Sequence, residues 1–281
     1  MPELPEVETV CRGMDKALRG RTIAEVHTHR EGLRAPFPAK LAEKLAGKQI
    51  IHCRRRAKYI VAELDNGQNL VIHLGMSGQI FLMAPGHIYK QRKHDHLIMK
   101  FDDGSQLAFN DARRFGIVLL LDKSELETHP SFRDLGPEPL ERSFTGKKLA
   151  QLLAGKKTDM KAALMDQRVV AGLGNIYVSE ALFLAGISPK RKAGTIKGGE
   201  ADALVSAVKK VLNAAIKAGG STLKDYRQAD GELGYFQHRF AVYDREGKPC
   251  PGCTCDVKKT RGITRIVQGG RSTFYCPRKQ A

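Results

Sequence analysis

The sequence lacks any apolar run long enough to cross a lipid bilayer, which excludes a helical membrane protein. It also lacks a basic segment followed by an apolar stretch near its start, so we expect no secretory signal and a cytoplasmic location. Internal repeats and low-complexity tracts are absent as well. With 281 residues and an apolar fraction of 42%, the chain is long enough for two domains, or for one domain with a small appendage.

Acidic residues are fewer than basic residues in this chain. The chain has 30 Asp and Glu residues against 47 Lys and Arg residues, which gives a formal net charge of +17 and a pI near 9.7. A surface that serves only solubility rarely needs so large an excess of one sign. The balance therefore indicates a polyanionic partner, of which nucleic acid is the commonest.

Cysteine is rare until the end of the chain. Of the six cysteines, Cys11 and Cys53 lie in amphipathic or apolar surroundings and are interpreted as small core residues. The other four lie between positions 250 and 276. In a cytosolic chain, such clustering favours metal binding over disulfide formation.

The clustered cysteines are typical of a zinc hairpin, but one ligand is in question. Cys250-x2-Cys253 is followed by Cys276, and these positions fit a tetrahedral site. Lys279 stands where a second pair would be completed, and lysine is a poor zinc ligand because it must first lose its proton. Cys255 is the alternative fourth ligand, with an awkward Cys-x-Cys spacing. A degenerate finger held by packing alone is the other interpretation.

The first half of the chain combines one helix with several short strands. Val7, Val10, Met14 and Leu18 recur at helical spacing behind a proline, which predicts an amphipathic helix. Between about residues 22 and 122, short runs are separated by Asn-Gly or Asp-Gly turns, which predicts antiparallel sheets in a sandwich or a barrel. The predicted strands are TIAEVHTH, KYIVAEL, NLVIHLGM, HLIMKF, QLAFN and GIVLLL.

The second half is predicted to be helical and to end in a hairpin. LGPEPL, at 135–140, is punctuated by Pro and Gly and is interpreted as a linker. Helical patterns follow from about 145 to 218, and the polar segment 221–240 is a predicted loop. ITRIVQ and RSTFYC flank Gly269 and Gly270, so we expect a β-hairpin with Arg271 at or beside its turn.

Two predicted helices flank a turn that contains Gly172 and Gly174. Such glycines allow backbone amides to approach a phosphate at the start of the second helix, where Asn175 would add its amide. Lys157 and Lys161 are close in sequence and favour this phosphate clamp. The alternative is an ordinary helical hairpin, whose turn also needs glycine.

Four further motifs join strands to turns. The basic run RRRAK places Lys58 immediately before a predicted strand, although such a run is usually a solvated surface. The other three motifs are HLGMSG, KHDH and NDARRFG. HLGMSG contains Met76 and NDARRFG contains Arg113 and Phe115, which together are two long apolar side chains and a guanidinium. Apolar wedges beside a cation suit insertion into a stack of bases, whereas each motif alone is more often core or surface.

The chain contains, in this order, the motifs MPELPEVE, RRAKY, HLGMSG, KHDH, D-x-RRFG, LGPEPL, GLGNIYVSE and GRSTFYC. Together these motifs resemble the formamidopyrimidine-DNA glycosylases over essentially the whole chain. This bacterial family removes oxidised purines such as 8-oxoguanine from DNA. The sister endonuclease VIII family, which prefers oxidised pyrimidines, is less similar because it begins MPEGPE and lacks the HLGM and RRFG pair.

The resemblance implies an α+β, multidomain fold. Residues 1–134 would form an antiparallel β-sandwich with an N-terminal helix, residues 135–240 a linker and a helix-two-turn-helix domain, and residues 241–281 a zinc-finger-like β-hairpin. DNA would lie in a cleft between the domains. The implied partner is double-stranded DNA with oxidised bases or abasic sites, bound by a nucleoid-associated monomer. The implied cofactor is one zinc ion, in question because Lys279 replaces the expected cysteine.

The resemblance also implies catalytic roles. Pro2 matches the nucleophile after Met1 is removed, and Glu3 matches the acid that assists opening of the sugar ring. Lys58 matches the general acid/base of β-elimination, and Arg271 the group that assists δ-elimination. A terminal amine titrates near pH ~8, so a useful fraction of it is neutral without burial.

The remaining implied positions contact DNA. His94, Arg113, Lys157 and Asn175 match family DNA contacts, while Met76, Arg113 and Phe115 match the side chains that fill the hole left by a flipped base. The segment 222–235 matches a flexible segment that closes over the extruded base. A pyrimidine-specific glycosylase and a non-catalytic binder of damaged DNA are the competing hypotheses.

Overall fold

The structure is a computed structural model that describes residues 2–221, 234–252, 254 and 256–280. The chain divides into two compact units. The first draws on Met1–Arg133 and Ile216–Gln237, and the second on Asp134–Ala215 and His238–Ala281. Within the described ranges, no helix combines the length and apolar character needed to span a membrane.

The first unit contains two antiparallel sheets of four strands each, preceded by helix α1, Leu4–Leu18. Helix α2, Leu41–Leu45, lies between the first two strands. The strands are β1 Ile23–Thr28, β2 Ile50–Arg56, β3 Tyr59–Leu64, β4 Gln68–His73, β5 Gln79–Met83, β6 Asp95–Phe101, β7 Gln106–Asn110 and β8 Ile117–Asp122. One sheet has the order β1-β6-β7-β5, and the other β2-β3-β4-β8.

Both sheets and α1 share one hydrophobic core. Val7, Val10 and Met14 from α1 are at most 1% exposed, and they belong to the same buried cluster as Ile60 of β3 and Leu97 of β6. Burying such side chains contributes about 1.5–3 kcal/mol each. The helical periodicity of the first residues is therefore confirmed, and its apolar face fixes α1 against the sheets.

The predicted sandwich is confirmed, with two strands that the sequence patterns did not indicate. The Asn66-Gly67 and Asp103-Gly104 turns join β3 to β4 and β6 to β7, as expected. The basic run precedes strand β3, as predicted, but Arg54–Arg56 also form the end of β2, which the sequence patterns did not indicate. Only Ile50 and Cys53 of β2 are buried and the strand ends in three arginines, so it shows neither an apolar run nor a regular alternation in the sequence.

The second unit contains the predicted helices and the hairpin. They are α3 Gly146–Leu153, α4 Met160–Met165, α5 Asn175–Ala185, α6 Gly198–Lys217, which ends in the first unit, and the short α7 Val257–Thr260, followed by β9 Thr264–Gln268 and β10 Arg271–Tyr275. Phe183 of α5 packs with Val242, Ile263 and Phe274 in one buried cluster. Because this cluster joins the helical segment to the hairpin, both lie in one compact unit.

A glycine sets how closely two loops of the first unit approach. Gly75 follows β4 with a φ of +63°, and a Cβ there would lie 2.5 Å from the carbonyl carbon of Phe115 and 2.7 Å from the nitrogen of Gly116. The HLGMSG and RRFG motifs therefore meet backbone to backbone, and only glycine fits at this point.

We expect Gly75→Ala to lower the free energy of unfolding by about 2–4 kcal/mol, because the new methyl group combines left-handed strain with a backbone overlap. Gly67→Ala is the matched control, since Gly67 has a φ of +80° and open space around it. Its cost should be only about 1 kcal/mol, from the strain alone. Urea denaturation of both variants measures the difference, and equal costs would contradict the close approach.

Candidate active site

The start of α1 holds the predicted nucleophile and acid in buried positions. Pro2 is buried, and Glu3, at the helix N-cap, is 3% exposed. The Glu3 N–H donates to Oε2 of Glu6 at 2.9 Å, which satisfies one of the amides left open at a helix start. Carboxylates are also stabilised at this end by the helix dipole.

Glu6 has a second partner far along the chain. Its Oε1 accepts a hydrogen bond from the N–H of Ser221 at 2.8 Å, and Glu6 is 2% exposed. Ser221 also forms a β-bridge with Tyr235. Residues 222–233, which form most of the segment predicted to close over the extruded base, lie outside the described residues. Ser221 and Tyr235 flank them and pair with each other, and Ser221 is bonded to Glu6 of α1. The motifs did not reveal this role for Glu6 because Ser221 is so distant in the chain.

Lys58 lies in the turn between β2 and β3 and is 8% exposed. Beside it, His73 at the end of β4 accepts a hydrogen bond from the Gly75 N–H at its Nδ1, at 3.0 Å. Burial, together with the neighbouring charge of Lys58, lowers the pKa of His73 to about 4. The imidazole next to the predicted acid/base is therefore neutral at physiological pH.

Met76, Arg113 and Phe115 are brought together by a buried carboxylate. Asp111 is fully buried, and its two oxygens accept from the Ser77 hydroxyl at 2.6 Å and from the Gly116 N–H at 2.7 Å. The loop that carries Met76 is thereby fastened to the loop that carries Arg113 and Phe115.

The three wedge side chains are exposed on these fastened loops. Met76 and Phe115 are 38% and 42% exposed, which is unusual for large apolar residues. The Arg113 guanidinium lies 4.9 Å from the centre of the Phe115 ring, in a cation–π contact. An apolar pair with an adjacent cation is the arrangement expected of a group that inserts into a base stack.

His94 is half-buried and connected to the same carboxylate-bearing segment. It adopts a φ of +78°, and its carbonyl accepts a hydrogen bond from the Asp111 N–H at 3.0 Å. His96 bonds the Asp111 carbonyl through Nε2 at 2.9 Å. The first unit thus gathers His94 and the wedge residues around Asp111, whose role the sequence motifs did not reveal.

In the second unit, Lys157 is exposed, but Lys161 is not available to a phosphate. Lys161 is 1% exposed, and its Nζ donates to the Ser272 carbonyl at 3.1 Å and to the Thr273 hydroxyl. The expectation that Lys161 contributes to a phosphate clamp was therefore wrong, because its partners lie in β10. Asn175 also donates to the Ser272 carbonyl, at 2.9 Å.

The glycine turn and Arg271 both lie in the second unit. Gly172 has a φ of +83°, and its N–H donates to Oε1 of Gln167, whose Nε2 donates to the Leu173 carbonyl. Arg271 is the exposed first residue of β10, paired with Gln268 across the hairpin turn. Lys161 and Asn175, which hold the adjacent Ser272, thus fix the hairpin strand where Arg271 begins it.

Two of the four clustered cysteines are described. Cys250 and Cys276 are 7% and 1% exposed, and their thiols are in hydrogen-bond contact within the apolar cluster of Phe183. The Lys279 ammonium lies 4.2 Å from the centre of the Phe183 ring. Cys253 and Cys255 lie outside the described residues, within which no three metal-ligating side chains cluster.

Known proteins resemble this chain over nearly its whole length. The sequence profile of the formamidopyrimidine-DNA glycosylase N-terminal domain matches residues 1–118, and that of the formamidopyrimidine-DNA glycosylase H2TH domain matches residues 135–227. A Cereibacter sphaeroides protein named formamidopyrimidine-DNA glycosylase is 53% identical over 99% of both chains.

Solved structures match over the same length. The wild-type Lactococcus lactis Fpg (MutM), in complex with DNA containing N7-benzyl-Fapy-dG, has a TM-score of 0.88 at 33% identity and covers 99% of each chain. The Thermus thermophilus MutM (FPG) protein has a TM-score of 0.86 at 38% identity, covering 99% of this chain and 98% of that one.

The neutral His73 makes stability depend on pH. In the unfolded chain His73 binds a proton below its usual pKa of 6.5, whereas in the folded chain it does so only below its lowered pKa of about 4. The free energy of unfolding therefore decreases as the pH is lowered from 6.5 to 4. Between pH 7 and 5 this group alone should cost about 2 kcal/mol. His73→Gln should remove that part of the pH dependence in urea denaturation. His87 is exposed, and His87→Gln should leave that part of the pH dependence in place. Parallel curves for wild type and His73→Gln would contradict the assignment.

Proposed function

The chain belongs to the formamidopyrimidine-DNA glycosylase family, and from this premise we propose that it excises oxidised purines from duplex DNA and then cleaves the strand at the resulting abasic site. The observation that carries the proposal is the burial of Pro2, Glu3 and Lys58 in one unit. Pro2 and Glu3 directly precede the helix that packs on β2, and Lys58 lies two residues after the end of β2.

Pro2 is the proposed nucleophile. Removal of Met1 leaves its secondary amine free, and this amine attacks C1′ of the damaged nucleotide. The bond from C1′ to the base breaks, the base leaves with a proton, and an iminium links the enzyme to the opened sugar. A terminal amine suits this step because it is partly neutral near pH ~8.

Glu3 and Lys58 are the proposed proton-transfer groups. A carboxyl beside the amine can exchange a proton with the sugar oxygen as the ring opens. Lys58 assists loss of the C2′ proton and departure of the 3′ phosphate in β-elimination. Arg271 assists the second elimination, of the 5′ phosphate, so that a one-nucleotide gap with phosphate ends remains.

DNA recognition is proposed to depend on backbone contacts and on a wedge. His94, Arg113, Lys157 and Asn175 would contact the phosphodiester backbone, supported by the overall charge of +17. Met76, Arg113 and Phe115 would fill the space left by the extruded base. The partner is double-stranded DNA with oxidised bases or abasic sites, bound by a single chain, and such work places the protein with the nucleoid.

Borohydride trapping on a duplex that contains 8-oxoguanine tests the mechanism. We expect a covalent protein–DNA adduct from the chain that has lost Met1. A chain with an additional residue ahead of Pro2 should lose at least about a hundredfold in trapping, since the amine becomes an amide, and removal of a nucleophile commonly costs that much or more. Mass spectrometry of the same preparations establishes which terminus is present.

Two comparisons complete the test. A duplex with oxidised thymine should be cleaved more slowly than one with 8-oxoguanine, and the reverse order would favour the endonuclease VIII-like alternative. DNA binding without any adduct from the free Pro2 terminus would favour the non-catalytic binder instead.

We propose that the C-terminal hairpin binds zinc. The thiols of Cys250 and Cys276 already lie together, and a set of four cysteine ligands would be completed by Cys253 and Cys255. Lys279 is not a ligand in this proposal, because its ammonium lies on the Phe183 ring. A zinc ion bound there would stabilise the hairpin that carries Arg271.

Metal analysis of purified variants tests this ligand set. We expect about one zinc per wild-type chain and much less in Cys255→Ser, because three thiolates leave the tetrahedral site incomplete. Lys279→Cys added to Cys255→Ser should restore zinc, since it supplies a Cys-x2-Cys pair with Cys276. A wild-type chain without zinc, or an unaffected Cys255→Ser variant, would contradict the proposal.

A further inference from the structure

Arg55 connects the helix of the proposed nucleophile to the turn that presents Lys58. Its side chain is 7% exposed, although it belongs to the basic run at the end of β2. Nε donates to Oε2 of Glu8 on α1 at 2.8 Å, and a terminal guanidinium nitrogen donates to the Ala57 carbonyl at 2.9 Å. One planar group therefore bonds α1 and the β2–β3 turn at the same time.

Ala57 is in a conformation that needs such support. Its φ is +52°, in the left-handed region that residues other than glycine rarely adopt, and it is 1% exposed. It immediately precedes Lys58, so its backbone direction sets where the Lys58 side chain starts. The Arg55 bond to the Ala57 carbonyl helps hold this turn.

Glu8 links the Arg55 guanidinium to α1, the helix that follows Pro2 and Glu3. It lies in the helix whose first residues follow Pro2 and Glu3, and its side chain is 19% exposed. Its second oxygen accepts from Nε of Arg12 at 2.7 Å, but Arg12 is 66% exposed and is one turn further along α1. Arg12 is therefore bonded to the same carboxylate as Arg55. The bond between Arg12 and Glu8 joins two residues of α1 and does not reach the β2–β3 turn.

We infer that Arg55 is a positioning residue for the strand-cleavage reaction, which sets Lys58 relative to Pro2 and Glu3 through Glu8 and the Ala57 carbonyl. The inference rests on the proposed function. The alternative is that the ion pair only fastens the helix to the sheet, in which case its loss changes stability and leaves the rate of the folded enzyme intact.

Arg55→Met tests the inference, with Arg12→Met as the matched control. Both variants remove one positive charge and one partner of Glu8, so a loss that follows from either of these changes alone would appear in both. The assay is single-turnover cleavage at a preformed abasic site, at a temperature at which each variant is folded. Binding to a duplex with a non-reactive abasic analogue is measured in parallel.

We expect Arg55→Met to slow cleavage roughly 10- to 100-fold, since misplacement of a reacting group by about 1 Å can cost that much. Its affinity for the non-reactive duplex should stay within about twofold of wild type. Arg12→Met should cleave at the wild-type rate. Arg55→Lys keeps the charge but offers no planar fork, so we expect an intermediate rate.

A double-mutant cycle with Glu8→Gln separates positioning from independent effects. The double variant Glu8→Gln with Arg55→Met should cleave no more slowly than Arg55→Met alone, because both changes act on one connection. If Arg55→Met does not fold, Arg55→Lys and Glu8→Gln are measured in its place. Cleavage by the folded variants within about twofold of wild type, or an equal loss in Arg12→Met, would overturn the inference. A wild-type chain that neither cleaves nor forms the trapped adduct would instead overturn the proposed function.

Discussion

The packing of α1 into the core of the first unit is the constraint on which the proposed chemistry depends. The first residues of a domain are poorly ordered unless packing holds them. Val7, Val10 and Met14 are almost completely buried among residues from both sheets, and each contributes about 1.5–3 kcal/mol by burial. This face fixes the helix axis, and the helix in turn fixes the positions of Pro2 and Glu3. The proposed nucleophile therefore directly precedes a helix that is anchored in the core.

Buried polar groups act on this framework as fasteners between loops. Glu6 bonds Glu3 and Ser221, and Asp111 bonds the two loops of the wedge residues. In the second unit, Glu180 accepts three backbone N–H groups, from residues 241–243, and thereby holds the segment that leads into the hairpin. Each carboxylate satisfies amides that no helix or sheet uses, so these groups determine loop positions where apolar contacts are few.

Sequence reasoning succeeded where the signal is local. The helix of Val7 and Val10 follows from periodicity, and the Asn-Gly and Asp-Gly turns follow from residues that tolerate tight reversal. It failed where a side chain's partner lies far away in the chain. Lys161 was assigned to phosphate because its bonds to Ser272 and Thr273 cannot be inferred from neighbouring residues. The catalytic assignments came from the order of motifs, and the positions of their supporting residues came only from the fold.

The cations of this chain serve two different purposes, which net charge does not separate. An excess of +17 predicts a polyanion partner, because the summed field of exposed Lys and Arg attracts phosphates. Arg55 and Lys161 contribute to that sum, yet both point inward and bond groups of the protein. Their burial is tolerated because each charge is bonded to a carboxylate, a carbonyl or a hydroxyl. A basic residue is thus available to a phosphate only where the fold leaves its charge exposed, and Arg113, Lys157 and Arg271 are exposed in this way.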